Sequence, residues 1–317
     1  MKKHHILVPV DFSKVTDEQI NYTVSNIQEP AKTRVSILHA VQPYPPMYFD
    51  DTYILAVEEP NITPYVEKTT ALAKELSDQL PGVEVNPKVV LGRAYFMMRK
   101  FLLEGEIDEV VIGSHGHGAL FDLVFGSVTA TTIKYADCPV HILPAQGGAT
   151  TNSNETILAF VDLSENSVDV LKAALRVAQR SGKAVRAVYA EDTSSTFAMT
   201  GYSDLYKFQQ LRRGSLSALL RKIQEEAVEE VAGTCEFAVR IGPPIEMLQL
   251  EIKLLNPALV VIGAHRNGAF HDLVVGSVSR AILKKIELPV LVVNTDSSEG
   301  QPKAHTEAEE NASLLAP

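Results

Sequence analysis

The sequence predicts an α/β protein made of two copies of one domain, each a mostly parallel sheet with helices on both faces. Three observations carry this. Short apolar runs alternate with amphipathic stretches of helical period, as strands and helices of a doubly covered parallel sheet do. Residues 110–143 match residues 260–293 without a gap, an offset of 150 residues, which means a duplicated domain rather than a short-period repeat. In each copy an apolar run, Val110-Val111-Ile112 and Val260-Val261-Ile262, ends at a glycine and a glycine-rich turn, then opens a helix-like run at Gly126-Ser127 and Gly276-Ser277.

In chain order, Ile6–Val10 reads as a first strand, and Asp11-Phe12-Ser13 turns into a helix over about 15–28. Pro9 is awkward inside a central strand, because it removes a ladder donor, so it belongs near the strand's exit. Val35–Ala40 is a second strand. A proline- and tyrosine-rich loop, Pro43–Pro60, leads to a helix over about 63–79. Val83–Val90 alternates as a third strand, Arg93–Leu103 is amphipathic, Val110–Ile112 is the fourth strand, a helix covers about 127–136, and Val140–Leu143 is the fifth strand. The second copy repeats this, with strands near 156–161, 184–190, 236–240, 259–262 and 290–293. Its helices fall near 165–180, 204–231, 243–255 and 277–286, with Pro243 and Pro244 where a first turn tolerates proline. The expected division is a domain over 1–145, a small polar linker over 146–154, a second domain over 155–295 and a disordered tail over 296–317.

A chain of 317 residues with 45% apolar content has material for two cores. Its net charge of −10 argues against nucleic acid or an anionic membrane as partner. The two cysteines, Cys138 and Cys235, form no metal or redox spacing and suit a reducing compartment. No stretch reads as a signal peptide or reaches the ~18 apolar residues of a membrane span, so a cytoplasmic location is expected.

Strand, glycine loop and helix N-terminus together form the way a backbone makes room for an anion. Glycine lets the main chain approach, and the free N–H groups of the first turn carry the positive end of the helix dipole. The spacing G-x-x-G-(nine residues)-G-S, from Gly113 and Gly116 to Gly126 and Ser127, is neither the dinucleotide fingerprint nor a P-loop. Asp11, Ala40, Gly92 and Gly113 all fall at carboxyl ends of predicted strands, where ligands of such sheets bind.

The combination of Val8-Pro9-Val10-Asp11-Phe12-Ser13, Leu38-His39-Ala40, Gly92 before a helix, and Gly113-Ser114-His115-Gly116-(nine)-Gly126-Ser127-Val128 resembles the universal stress protein family, in its tandem members. The resemblance implies Rossmann-like or flavodoxin-like domains, each a five-stranded parallel sheet of order 3-2-1-4-5. It implies binding of ATP, with magnesium arriving alongside, or of a related adenine nucleotide. On that resemblance Pro9, Val10 and Asp11 line adenine and ribose, and Ala40 lies beside the base. Gly113 and Gly116 sit against ribose and phosphate, Gly126, Ser127 and Val128 hold the phosphate chain, and Ile112 belongs to the same nucleotide-binding set.

The matching second set is Asp162, Ala190, Gly263, Arg266, Gly276, Ser277 and Val278. Arg266 replaces the glycine at 116 and Phe160 replaces Pro9, so the second site is altered. Arg266 either fills the space, paying for a left-handed backbone, or offers its planar fork to phosphate. The expectation is binding in the first half and weak or no binding in the second.

Plainer readings stand beside these. Asp11 and Asp162 could cap the following helices. His115 and His265 recur in both halves, as a structural hydrogen bond beneath the loop would. His39, His117 and His141 become Tyr189, Asn267 and Leu291, so no metal-ligand set recurs. Tyr44, Tyr48, Phe49 and Tyr53 could form a lid or a partner surface. No base is poised to activate water, and no P-loop lysine or Ser-His-Asp set is legible; the resemblance implies a nucleotide-binding regulatory protein of the stress response with an unidentified protein partner. The alternatives are a slow ATPase or phosphotransferase, and a second half that takes another metabolite. The apolar last strands of the two halves are expected to cover each other as an internal pseudo-dimer; whether whole chains pair into a homodimer is not legible.

Overall fold

The computed structural model describes residues 2–42, 48–49, 53–54, 60–114, 126–144, 154–164, 166–192, 218–266 and 287–296. The first half runs β1 (His4–Pro9), α1 (Lys14–Asn26), β2 (Thr33–Val41), a short ladder of β3 (Tyr48–Phe49) with β4 (Tyr53–Ile54), α2 (Thr63–Gln79), β5 (Glu84–Leu91), α3 (Ala94–Glu104), β6 (Glu109–Gly113), α4 (Ser127–Tyr135) and β7 (Val140–Leu143). The second runs β8 (Thr156–Phe160), α5 (Asn166–Ser181), β9 (Ala184–Glu191), a helix over 218–230 (α6), β10 (Cys235–Ile241), α7 (Pro244–Leu255), β11 (Leu259–Arg266) and β12 (Val290–Asp296). The helix predicted over 277–286 lies outside the described residues. The pairing of β3 with β4 was not foreseen; the loop was read there without strands.

All strands but β3 and β4 form one sheet in the order β10-β9-β8-β11-β12-β7-β6-β1-β2-β5. Each half is therefore ordered 3-2-1-4-5, counting its own five sheet strands, with every pairing among those five parallel. The halves meet through β12 and β7, antiparallel, with Val290, Leu291 and Val292 opposite Ile142, His141 and Val140. Each apolar last strand thus covers the other, removing an edge that would otherwise invite aggregation. One apolar core crosses the junction: Leu7, Val110, Ile133 and Val140 of the first half pack in the same cluster as Leu158, Val260 and Val292 of the second. Burying each such Leu, Val or Ile contributes roughly 1.5–3 kcal/mol.

The duplication extends to unusual backbone. Phe12 and Leu163, at matched positions, both take left-handed φ, 60° and 65°. A non-glycine residue there costs roughly 1–2 kcal/mol. Short hydrogen bonds offset this: the Ser13 N–H donates to Asp11 Oδ1 at 2.9 Å, and the Ser164 N–H to Asp162 Oδ1 at 3.0 Å. Both cysteines are free, and burial pushes the Cys138 thiol up to about 12 and that of Cys235 to about 11. Among the described residues no helix is long and apolar enough to cross a membrane.

Candidate functional site

The carboxyl ends of β1, β2 and β6 open where the strand order reverses, between β1 and β6. The two strands are paired only at Ile6–Glu109 and Leu7–Val110. Beyond that point the buried Gln19 of α1 joins them, its Nε2 donating to the carbonyls of Pro9 at 2.8 Å and Val111 at 3.2 Å. The matched residue of the second half is Val170, which has no amide to offer and packs its Cγ2 beside Gly263 instead.

Pro9 closes β1 opposite Leu38, and the Val10 N–H still donates to the Leu38 carbonyl. The proline therefore sits at the exit, where its missing donor disrupts little. Asp11 is not a helix cap. Ser13 is the N-cap residue of α1, and Asp11 instead accepts the Ser13 N–H across a tight turn. Asp162 goes further, also accepting the hydroxyls of Ser164 at 2.6 Å and Ser167 at 3.0 Å. Ala40 lies in β2, one residue from the strand's end, opposite Val90.

The left-handed turn at Phe12 aims its ring at His39, with centroids 4.6 Å apart, and Tyr65 of α2 stacks on His39 at 4.9 Å. Lys68 lies 5.4 Å above the Phe12 ring. His39 is buried, and its Nδ1–H donates to the Val10 carbonyl at 2.8 Å. Burial lowers its pKa, partly offset by that bond, so the ring is neutral at pH 7. Residue types alone did not signal this cluster, because Phe12, His39 and Tyr65 come from three separate elements.

At β6 the strand stops at Gly113. The Ser114 N–H donates to Leu143 and the Gly126 N–H returns to the Ser114 carbonyl at 3.1 Å. Thr129 Oγ1 then donates to the Gly113 carbonyl at 2.7 Å, tying the first turn of α4 to the strand end. Gly126 is the N-cap residue of α4, with φ −64° and ψ 154°, and as a glycine it supplies no side-chain cap. Ser127 is exposed there, while Gly113, Gly126 and Val128 are half-buried and Ile112 is buried. Gly116, His115 and His117 lie outside the described residues.

The second half departs at the matched place. Instead of stopping at Gly263, β11 continues through Ala264, His265 and Arg266, paired with Asn294, Thr295 and Asp296 of β12. Arg266 is thus in extended backbone, and the left-handed cost expected there does not arise. Asp162 is exposed and Ala190 is buried. Gly276, Ser277 and Val278 lie outside the described residues.

At the amino ends of the strands stands a charged cluster that the sequence reading missed. Buried Glu109 receives Nε2 of His4 at 3.0 Å, Nε2 of His141 at 2.7 Å and Nη1 of Arg180, from the second half, at 3.0 Å. The Tyr22 hydroxyl bonds His141 Nδ1 at 2.8 Å. Burial pushes the Glu109 carboxyl up, but His141, His4 and Arg180 together outweigh it and hold it well below the usual range. The available clue was unlike residues at matched positions, Glu109 against Leu259. His141 is thus engaged in packing, and no group of three His, Cys, Asp or Glu suited to a metal stands among the described residues.

Against known proteins, the model of the universal stress protein family matches residues 3–144 and again 153–294. Universal stress protein Rv2005c of Mycobacterium tuberculosis is 28% identical over 295 residues, covering 92% of this chain and 97% of its own. A universal stress protein of Mycolicibacterium smegmatis is 23% identical over 299 residues, with 92% and 97% covered. Among solved structures, a universal stress protein from Archaeoglobus fulgidus superposes with a TM-score of 0.60 at 15% identity, covering 93% of this chain and 99% of that one. At that identity the superposition speaks to fold alone. With the family's model matched twice along one chain, this protein is a member of the universal stress protein family carrying two tandem copies of its domain.

Proposed function

We propose that the first half binds ATP, with magnesium, or a related adenine nucleotide, and that occupancy makes the protein a regulator in the stress response rather than an enzyme. The observation that carries this is the geometry between β6 and α4. The strand ends at Gly113, and α4 begins at Gly126 without a side-chain cap, its first turn tied to the strand end through Thr129. First-turn amides that the N-cap glycine leaves without a side-chain acceptor, with the helix dipole behind them, suit a phosphate chain. The Ser127 hydroxyl is exposed beside them as a further donor. Pro9, Val10, Asp11 and Ala40 at neighbouring strand ends would receive base and ribose, and Ile112, Gly113, Gly116 and Val128 complete the set. Mg²⁺ would be held mainly by phosphate oxygens and water. In the second half the strand runs on past Gly263, which favours a weaker site or a different ligand at Asp162, Ala190, Gly263, Arg266, Gly276, Ser277 and Val278.

Calorimetric titration of the full chain with Mg·ATP tests this. The wild type is expected to bind one equivalent, and Gly126→Ala to lose at least ten-fold in affinity while keeping its unfolding midpoint, since φ −64° suits alanine. Undiminished binding by Gly126→Ala would refute the assignment. Turnover of labelled ATP that disappears in the same variant would favour a slow ATPase instead.

A further inference from the structure

Because β12 and β7 run antiparallel, the carboxyl end of the second half's sheet lies beside the amino end of β7, where α4 finishes. Asn294, in β12 opposite Ala264, uses that proximity. Its Nδ2 donates to the carbonyl of Ile133 at 2.9 Å and to that of Ala136 at 2.7 Å. These are carbonyls of the last turn and cap of α4, where a helix has no internal donors left to offer. Ile133 and Ala136 are fully buried, so water is a poor substitute for the amide.

The same helix begins at Gly126 and is fastened there to the exit of β6 through Thr129. It is therefore held at both ends, by its own half at the start and by the other half at the finish. Among the described residues the brace has no counterpart at its matched position. Residue 144, which matches Asn294 in the repeat, is Pro144, and proline has no side-chain donor.

We propose that Asn294 is a positioning residue, contributed by the second half, for the candidate phosphate-binding helix of the first. It sets the axial position of α4 and hence that of the Gly126–Ser127 amides, so the first half's site is incomplete without the second half. This rests on the nucleotide reading above, and the test separates the two.

The full-length wild type, Asn294→Ala, Asn294→Gln and Arg180→Ala are compared by two measurements. One is hydrogen exchange of α4 without ligand; the other is Mg·ATP affinity. Asn294→Ala is expected to speed exchange in the last turn of α4 about thirty-fold, the loss that two hydrogen bonds of ordinary strength predict, and to weaken affinity roughly five- to ten-fold. Asn294→Gln, which keeps the amide, should recover part of both. Arg180→Ala loosens another contact between the halves without touching α4, and should leave affinity unchanged.

Unchanged exchange in Asn294→Ala overturns the proposal whatever the affinities. Faster exchange with full affinity overturns the positioning role, as does an equal affinity loss in Arg180→Ala, which would mean that any loosening of the junction suffices. Faster exchange in a protein whose wild type binds no nucleotide leaves the brace standing as a support of α4 and refutes the nucleotide reading instead.

Discussion

Replacing Glu109 with glutamine tests how the two halves are held together. The carboxylate is 5% exposed and faces three nitrogens, those of His4, His141 and Arg180, the last supplied by α5 of the second half. Glutamine preserves shape and one acceptor but removes the negative charge, leaving Arg180 without its counter-ion and the buried His141 without a carboxylate acceptor. Removing one member of a buried pair typically costs 3–5 kcal/mol. The retained amide and the partial exposure of Arg180 place the expected loss near the lower end, about 3 kcal/mol, or roughly a hundred-fold in the unfolding equilibrium. Urea unfolding of both proteins, followed across pH, reads this directly. Because the folded carboxyl ionises below its ordinary value of 4.5, its ionisation stabilises the fold at any pH above that value, and the gain is lost as pH falls through the folded pKa. The wild type should therefore keep its lead from pH 7 to about pH 5, and the two curves should converge only at lower pH. A lead under about 1 kcal/mol at pH 7, or one that vanishes between pH 7 and pH 5, would refute the electrostatic account of this junction.

Gln19→Leu should cost about 1–3 kcal/mol, because the Pro9 and Val111 carbonyls lose a buried donor, and should also weaken nucleotide binding by spreading β1 from β6. Urea midpoints and calorimetry check the two effects, and Val170→Leu in the second half should leave the affinity alone. Gly92→Ala should destabilise by roughly 1–2 kcal/mol, since φ is +147° and a Cβ would lie 2.7 Å from Met97 Sδ. Gly242→Ala, at +144° with Met247 Cε 3.0 Å away, should behave similarly, and equal thermal midpoints for wild type and both variants would contradict the shared backbone strain.

Much of the fold was legible because its signals are local and repeated. The apolar runs at 6–8, 35–38, 110–112 and 140–143 are the buried strands, and glycines such as Gly92 mark left-handed turns that the second half copies at Gly242. Strand ends were legible to within a residue or two except at β11 and β12, which run four and three residues past the expected ends at 262 and 293. What was not legible depends on partners distant in sequence. The meeting of Glu109 with Arg180, of Gln19 with Val111 and of Phe12 with His39 and Tyr65 is set by packing, and no spacing encodes it. The plainer alternative for Asp11, a helix cap, does not hold, for a physical reason. An aspartate two residues before the N-cap position can accept from the N-cap amide, and the left-handed Phe12 brings Asp11 into that turn. The continuation of β11 past Gly263 was likewise hidden, since Gly263 and Gly113 end identical Val-Val-Ile-Gly runs.

The central claim is that main-chain groups between Gly113 and Ser127 receive the phosphates of an adenine nucleotide. A crystal grown with excess Mg·ATP tests it most directly. The account predicts a triphosphate against the first turn of α4, with its base near Ala40 and Asp11. A structure in which that turn is closed by the protein's own side chains, with nucleotide absent or bound only in the second half, would contradict it.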